Sequence, residues 1–300
     1  MGKRLIALWL GIILLTVLLF SACGTSNRLA QSGEQAKTAY EAGDYATALT
    51  EYRKIISGYE SKGDEKSCPV YTLAGEAAWL LDKKALAFEY YDKARFTASE
   101  CAETYAGLAT YFQSIDNLSK EMENLQIYLK KYPDGKDSQQ IAKRLFSVYV
   151  ESENWDKALN LWPAVKNTSL QDIALLEQYL TVNEALNRQK TCDSLVQKIL
   201  NADPDNLKAL EWEGKKYYRK AEDRYQQEMK AYEKKKTRKQ YSQLLKALDQ
   251  VSADFKTSLK YFEKLYKLNP ETRYARYLAN IYNRLNDKKK AAYYKKKAKL

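Results

Sequence analysis

Histidine is absent from this 300-residue sequence, and glycine and proline are scarce. Without histidine the chain can form no His-containing catalytic triad, no His metal site and no His acid–base pair. Eleven Gly and five Pro leave few positions for tight turns, and no run of alternating apolar and polar residues indicates strands. The abundant residues, among them Ala, Leu, Lys and Glu, favour helices. The composition therefore predicts an all-α protein.

The sequence also lacks motifs that carry chemistry. It has no Gly-rich phosphate-binding loop, no nucleophile elbow and no Cys spacing typical of a metal site. Acidic pairs such as Glu121 with Glu123, or Glu151 with Glu153, are explained by a solvated helix face and a turn. We therefore expect no enzymatic activity, no metal and no cofactor.

A short basic start, an apolar run and small residues open the chain. "MGKR" precedes the sixteen mostly apolar residues 5–20, and Ser21, Ala22 and Cys23 follow them. This order is typical of a secretory signal peptide at 1–22. The run is shorter than the ~20 residues of a usual spanning helix, although a retained membrane anchor stays the alternative.

The segment Phe20-Ser21-Ala22-Cys23 resembles a bacterial lipoprotein lipobox, with Phe20 in place of the usual aliphatic residue. The resemblance implies cleavage before Cys23, a lipid on its thiol, and durable membrane attachment. Gly24 replaces the Asp that retains such proteins in the inner membrane. We therefore expect an outer-membrane, periplasm-facing lipoprotein with a short flexible tether at 23–34.

A pattern of small and aromatic residues recurs along the rest of the chain. "AKTAYEAGDYATALTEYRKII" at 36–56 gives the register, with Ala48 as its marker. Equivalent places are 48, 87, 121, 158, 192, 258 and 291, so the steps between them are 39, 34, 37, 34, 66 and 33. Three copies end in proline, at Pro133, Pro204 and Pro270. Most steps lie close to a fixed period, which indicates a repeat protein.

The repeat resembles the tetratricopeptide repeat (TPR), and the resemblance covers nearly all of 32–300. It implies a right-handed superhelical solenoid of antiparallel helix pairs, with a groove that holds a partner's peptide or helix. About five repeats would fill 35–206, and a basic TPR-like helix pair would fill 271–300. Glu121 and Cys192 stand where Ala is expected, so these two copies match weakly.

The step from 192 to 258 is about twice the usual one and marks an irregular segment at 207–270. One interpretation is two repeats, and the other is a single helix pair lengthened into a coiled-coil-like arm. Aromatic and aliphatic residues step by seven here, and an unbroken heptad stripe favours two long helices zipped together. A turn near Ala253 would break this stripe. We therefore favour the arm, with its tip at 233–240.

The three cysteines other than Cys23 are Cys68, Cys101 and Cys192. Cys68 and Cys101 are nearly one repeat length apart in the sequence and could occupy matching places in neighbouring repeats. Such places are usually too distant for a disulfide, whose Cα atoms lie ~5.5 Å apart. Three separate thiols are therefore the preferred interpretation, with a Cys68–Cys101 bridge as the alternative.

Charge is unevenly divided along the chain. Residues 23–204 hold 21 Lys and Arg against 26 Asp and Glu, whereas 205–300 hold 27 against 12. The positive electrostatic potential of the last third would attract anionic partners, although runs of lysine are often only solvated surface. Nucleic acid is not expected as a partner of an exported chain. The predicted partner-binding residues lie at the arm tip: Lys234, Lys235, Lys236, Arg238 and Lys239.

These observations predict a non-enzymatic, membrane-anchored adaptor that binds partner proteins with an acidic or peptide-like epitope in the bacterial cell envelope. Its Tyr- and Lys-rich composition resembles that of lipoproteins of the Bacteroidota. The alternative is a glycan- or peptidoglycan-binding lipoprotein that uses the basic last third. Exposed tryptophans would favour this alternative. The oligomeric state is left open.

Overall fold

The computed structural model describes residues 29–166 and 172–299. The predicted signal peptide and the lipid-attachment residue Cys23 lie outside the described residues. The described part holds fourteen α-helices, one short 3-10 turn at Glu65–Ser67, and no strand. The prediction of an all-α fold is confirmed. None of the described helices is long and apolar enough to cross a bilayer.

The helices divide between two compact units, and the chain passes from the first to the second after Ser152. Unit 1 contains α1 (29–41), α2 (Tyr45–Glu60), α3 (Tyr71–Leu80), α4 (Lys84–Ala94), α5 (Ala102–Ser114), α6 (Leu118–Lys131) and α7 (Ser138–Glu151). Unit 2 contains α8 (Trp155–Val165), α9 (Ile173–Ala185), α10 (Gln189–Ala202), α11 (Leu207–Lys234), α12 (Arg238–Leu268), α13 (Thr272–Arg284) and α14 (Lys288–Lys297). In each unit, consecutive helices pack as antiparallel pairs, such as α3 with α4 and α13 with α14.

Short turns join the two helices of a pair, and two of these turns share the same cap chemistry. The residue before the cap has a positive φ, as at Gly43 (78°) and Asn286 (63°). Glycine and asparagine tolerate this left-handed conformation. The next residue then caps the second helix: Asp44 accepts a bond from the Thr47 amide, and Asp287 accepts one from the Lys290 amide. The "GD" at 43–44 and the "ND" at 286–287 therefore both turn the chain and start a helix.

The marker place of the repeat lies where two helices cross. Every residue of the series is buried: Ala48, Ala87, Glu121, Ala158, Cys192, Ser258 and Ala291. A small residue lets the two backbones approach closely, which explains the preference for Ala. The two weak copies belong to the same series, because Glu121 and Cys192 are buried as completely as the alanines.

Tyr91, four residues after one marker, shows how an aromatic ring fills the gap to the next pair. Its ring lies against Gly75 of α3 and Gly107 of α5. A Cβ atom at either glycine would overlap the ring. The two glycines therefore create the space into which α4 inserts its aromatic side chain.

Helices α11 and α12 are far longer than the others, with 28 and 31 residues against 10–16. Helix α12 passes through Ala253 without a break, so the alternative of two repeats in this segment is wrong. Phe255 packs edge-on against Tyr218 across the pair, with ring centroids 5.7 Å apart. The prediction of one lengthened helix pair is confirmed.

Two other expectations change. Residues 29–34, expected in the flexible tether, already belong to α1, and the Leu29 side chain lies at the α2 surface beside Gly58. The tether prediction is therefore wrong for these six residues, because α1 buries an apolar face on α2. Cys68, Cys101 and Cys192 are free thiols, so the alternative Cys68–Cys101 disulfide is not formed.

Candidate functional site

The first helices of three consecutive pairs lie side by side in unit 2. We call the surface formed by α9, α11 and α13 the first-helix face. Polar bonds join the three helices: the Lys208 ammonium donates to the Thr181 hydroxyl between α11 and α9. The Tyr274 hydroxyl donates to Glu211 between α13 and α11, at 3.1 Å. A ligand on this face would contact all three helices at once.

A pocket of about 390 Å³ opens on the first-helix face. Apolar and charged side chains share its lining: Leu180, Glu184, Leu207, Lys208, Glu211, Trp212, Lys215, Arg273 and Tyr274. The Trp212 ring is nearly completely buried, and its Nε1 donates to Asp193 at 3.2 Å. The tryptophan is therefore part of the wall and not an exposed stacking surface.

Glu211 is the best-satisfied charge in the pocket. It accepts from the Lys215 ammonium at 2.6 Å and from the Arg273 guanidinium at 3.2 Å. The Tyr274 hydroxyl is its third donor, and burial together with Glu211 raises the pKa of Tyr274 to about 12. Three donors leave little of the Glu211 charge for a ligand.

Lys208 differs from the other cations of the pocket. Its ammonium is half-buried and forms no ion pair with any residue that the structure describes. Burial lowers the pKa of Lys208, an effect that Glu177, Glu184 and Glu211 only partly offset from a distance. A half-buried ammonium that is not paired favours an anionic group, such as a carboxylate, in the pocket.

Sequence reasoning missed this pocket, because its residues form no motif. They come from three helices between Leu180 and Tyr274. The signal that could have indicated it is position in the repeat, since polar residues on the first helices of consecutive repeats face one another.

The structure brings all five predicted partner-binding residues together at the end of the α11–α12 pair. Lys234 ends α11, Arg238 begins α12, and Lys235 and Lys236 lie in the three-residue connection between them. All five side chains are exposed, including that of Lys239. None of them lines the pocket on the first-helix face. Their role in binding stays a prediction.

The structure gives no specific support to the glycan alternative. The four tryptophans among the described residues are buried or half-buried: Trp79, Trp155, Trp162 and Trp212. Trp162 stacks on Tyr179 at 3.9 Å inside unit 2. Within 29–166 and 172–299, no group of three or more Cys, Asp or Glu residues could hold a metal ion.

No protein-family model matches the sequence, and no curated protein matches it. Among solved structures, it is similar to the C-terminal part of a TPR repeat-containing protein from Cytophaga hutchinsonii, with 15% identity and a TM-score of 0.50. That match covers 88% of this chain and 93% of the other. The fold of this chain is therefore TPR-like.

Two further solved structures are similar at lower TM-scores. A tetratricopeptide repeat protein from Parabacteroides merdae has 12% identity and a TM-score of 0.45, over 91% of this chain and 93% of the other. YrrB, described as a TPR protein with an unusual peptide-binding site, has 15% identity and a TM-score of 0.47, over 59% and 87%.

Proposed function

We propose that this chain is a non-enzymatic adaptor of the bacterial cell envelope, and that it binds a segment of a partner protein on the first-helix face of unit 2. The single observation that carries the proposal is the Lys208 ammonium, half-buried in a pocket and lacking an ion pair among the described residues. A partner carboxylate would supply the missing charge. Leu207, which is partly exposed, would contact apolar atoms of the same segment.

The chemistry of the pocket favours a peptide segment over a small rigid metabolite. Arg273 and Lys215 are paired with Glu211, so Lys208 is the cation of the lining that lacks an ion pair among the described residues, and the Glu184 carboxylate can accept backbone amides. The mixture of aliphatic wall, cations and one acidic edge fits an extended or helical segment with an acidic residue. A charge-assisted hydrogen bond of this kind contributes about 1.5–3 kcal/mol.

Photo-crosslinking in the native cells tests the proposal. Benzoylphenylalanine replaces Lys215 on the first-helix face or, as a matched control, the exposed Lys198 on α10. We expect a discrete crosslinked protein from position 215 and none from position 198. Lys208→Glu should abolish that product, because it places a carboxylate where the partner's carboxylate binds.

Two results would refute the proposed binding mode. The first is the same set of products from positions 215 and 198, which would indicate random collisions. The second is an unchanged product in Lys208→Glu. A conservative Lys208→Arg variant controls for substitution at this position, since it keeps the charge and should retain the crosslink.

We further propose that a lipid on Cys23 anchors the adaptor in the outer membrane, facing the periplasm. The resemblance of residues 20–23 to a lipobox supports the anchor, and Gly24 supports the outer membrane. Cells fed a clickable palmitate analogue should label the chain, and Cys23→Ala should remove the label. Label that persists in Cys23→Ala, or that is absent from the unaltered chain, would contradict the anchor.

A further inference from the structure

The end of the α11–α12 pair carries a dense cluster of positive charge. We call residues 230–246 the apex. Among them, exposed Glu233 is the only acidic residue, against seven exposed basic residues: Lys230, Lys234, Lys235, Lys236, Arg238, Lys239 and Lys246. None of the seven forms an ion pair with another described residue. The charge of the apex is therefore directed entirely to solvent.

The apex projects beyond the helix that packs beside it. The last side chain of α13, Arg284, contacts Glu222 at 2.7 Å and the Tyr225 ring at 4.5 Å. Helix α11 continues for nine more residues to Lys234, a length of about 14 Å at 1.5 Å per residue. The apex thus ends in a projecting tip made of two helix ends and a three-residue connection.

Apolar side chains accompany the basic residues. Tyr241 and Leu245 lie one helical turn apart on α12, and they are 51% and 47% exposed. Tyr232 supports Tyr241 from α11, with ring centroids 5.8 Å apart. Exposed Tyr and Leu next to a basic cluster are typical of helices that lie in the headgroup region of a bilayer.

We propose that the apex docks on an anionic lipid surface. The charge is complementary to lipid phosphates, the tip projects beyond α13 and can reach a broad surface, and Tyr241 and Leu245 can enter the headgroup region. An acidic protein would also attract the lysines, but a basic tip with Tyr and Leu one turn apart matches the pattern of helices at the headgroup level. This docking is independent of the pocket on the first-helix face.

Vesicle capture tests the proposal with the full chain held in nanodiscs of uncharged lipid. The probes are vesicles of phosphatidylcholine, either pure or containing the anionic lipid phosphatidylglycerol as the minor component. We expect capture of the anionic vesicles only, and weaker capture as salt increases. Each basic side chain near such a surface raises binding about fivefold. Changing all five of Lys234, Lys235, Lys236, Arg238 and Lys239 to Gln should therefore reduce capture more than 100-fold.

A matched variant separates the apex from the general positive charge. Five exposed lysines of the α14 segment, far from the apex in sequence, are changed to Gln: Lys288, Lys289, Lys295, Lys296 and Lys299. We expect this variant to retain most of the capture. Equal loss in both variants would overturn the proposal, and so would unchanged capture after the apex change.

A second pair of measurements separates lipid from acidic protein. Changing Tyr241 and Leu245 to Ser should reduce vesicle capture roughly tenfold, because both lose apolar burial. The same change should leave the binding of a polyglutamate peptide unaltered. If polyglutamate binds the apex as tightly as anionic vesicles do, and the Ser variant captures vesicles normally, the apex is an acidic-protein site and the lipid proposal is wrong.

Discussion

Glu121 and Arg144 form a buried ion pair in unit 1, and replacing Arg144 should lower the free energy of unfolding more than replacing Glu121. Arg144 of α7 binds Glu121 of α6 through two bonds, Nε to Oε1 at 2.6 Å and Nη2 to Oε2 at 2.9 Å. The Glu121 side chain is only 3% exposed, whereas Arg144 is 27% exposed and also binds Glu151 at 2.8 Å. Arg144 therefore keeps a partner and water if Glu121 is lost, but Glu121 has neither if Arg144 is lost.

The free energy of unfolding follows from this asymmetry. Removing one partner of a buried pair costs about 3–5 kcal/mol when the other charge stays buried. We expect about 3–4 kcal/mol for Arg144→Met, which leaves the Glu121 carboxylate without a counter-charge. Glu121→Ala should cost only about 1–2 kcal/mol, because Arg144 keeps Glu151 and Ala suits the marker place.

Urea denaturation followed by circular dichroism measures both variants. Lys120→Met on the same helix is a matched control, because its pair with Glu123 is exposed on both sides and should change stability by under ~0.5 kcal/mol. The double variant of Glu121→Ala and Arg144→Met should regain most of the loss. Equal losses from the two single variants, or a double variant as unstable as Arg144→Met, would contradict the reasoning.

Two further predictions concern unit 1. Gly107→Ala should destabilise the protein by about 1–3 kcal/mol, because the new methyl group overlaps the Tyr91 ring. Gly33→Ala, in open space on α1, should stabilise it slightly. Equal shifts in melting temperature for the two variants would show that packing against Tyr91 does not determine the effect. Burial raises the pKa of Glu76, so the folded state favours its neutral form. The contribution of this group to the free energy of unfolding is fully present below its unfolded pKa of about 4.3. That contribution is lost as the pH rises through the folded pKa. Glu76→Gln should therefore raise the melting temperature at pH 7 but not at pH 4, and a rise of the same size at both pH values would refute the assignment.

Local patterns explain why much of the fold was predictable. The marker residues recur about once per repeat because each helix pair buries the same crossing point, and all seven are buried. The heptad stripe of α12 predicted a helix that continues through Ala253, since a break would separate Leu244 and Val251 from Phe255. These features depend on spacing along one or two neighbouring helices, which a single sequence records directly.

Other features depend on which helices meet, and spacing does not record this. Glu121 looked like a solvated acidic residue because its cation, Arg144, lies 23 positions later on another helix. The pocket around Lys208 requires α9, α11 and α13 together. The mostly polar sequence "RLAQSGEQ" predicts a tether for the first residues of α1, yet its one large apolar residue, Leu29, lies against α2.

Helix α11 connects the two proposed sites. Lys208 lies in its first turn and Lys234 at its last residue, and 26 residues at 1.5 Å separate their Cα atoms by about 39 Å along the axis. A peptide segment in the pocket would therefore not compete with a lipid surface at the apex. Because one unbroken helix joins the sites, a bound partner would be kept at a fixed distance from any membrane that the apex contacts. If both sites are occupied, the length of this pair explains their separation, since a first helix of 13 residues, like α9 and α13, would end about one turn after the pocket and could not separate the two surfaces.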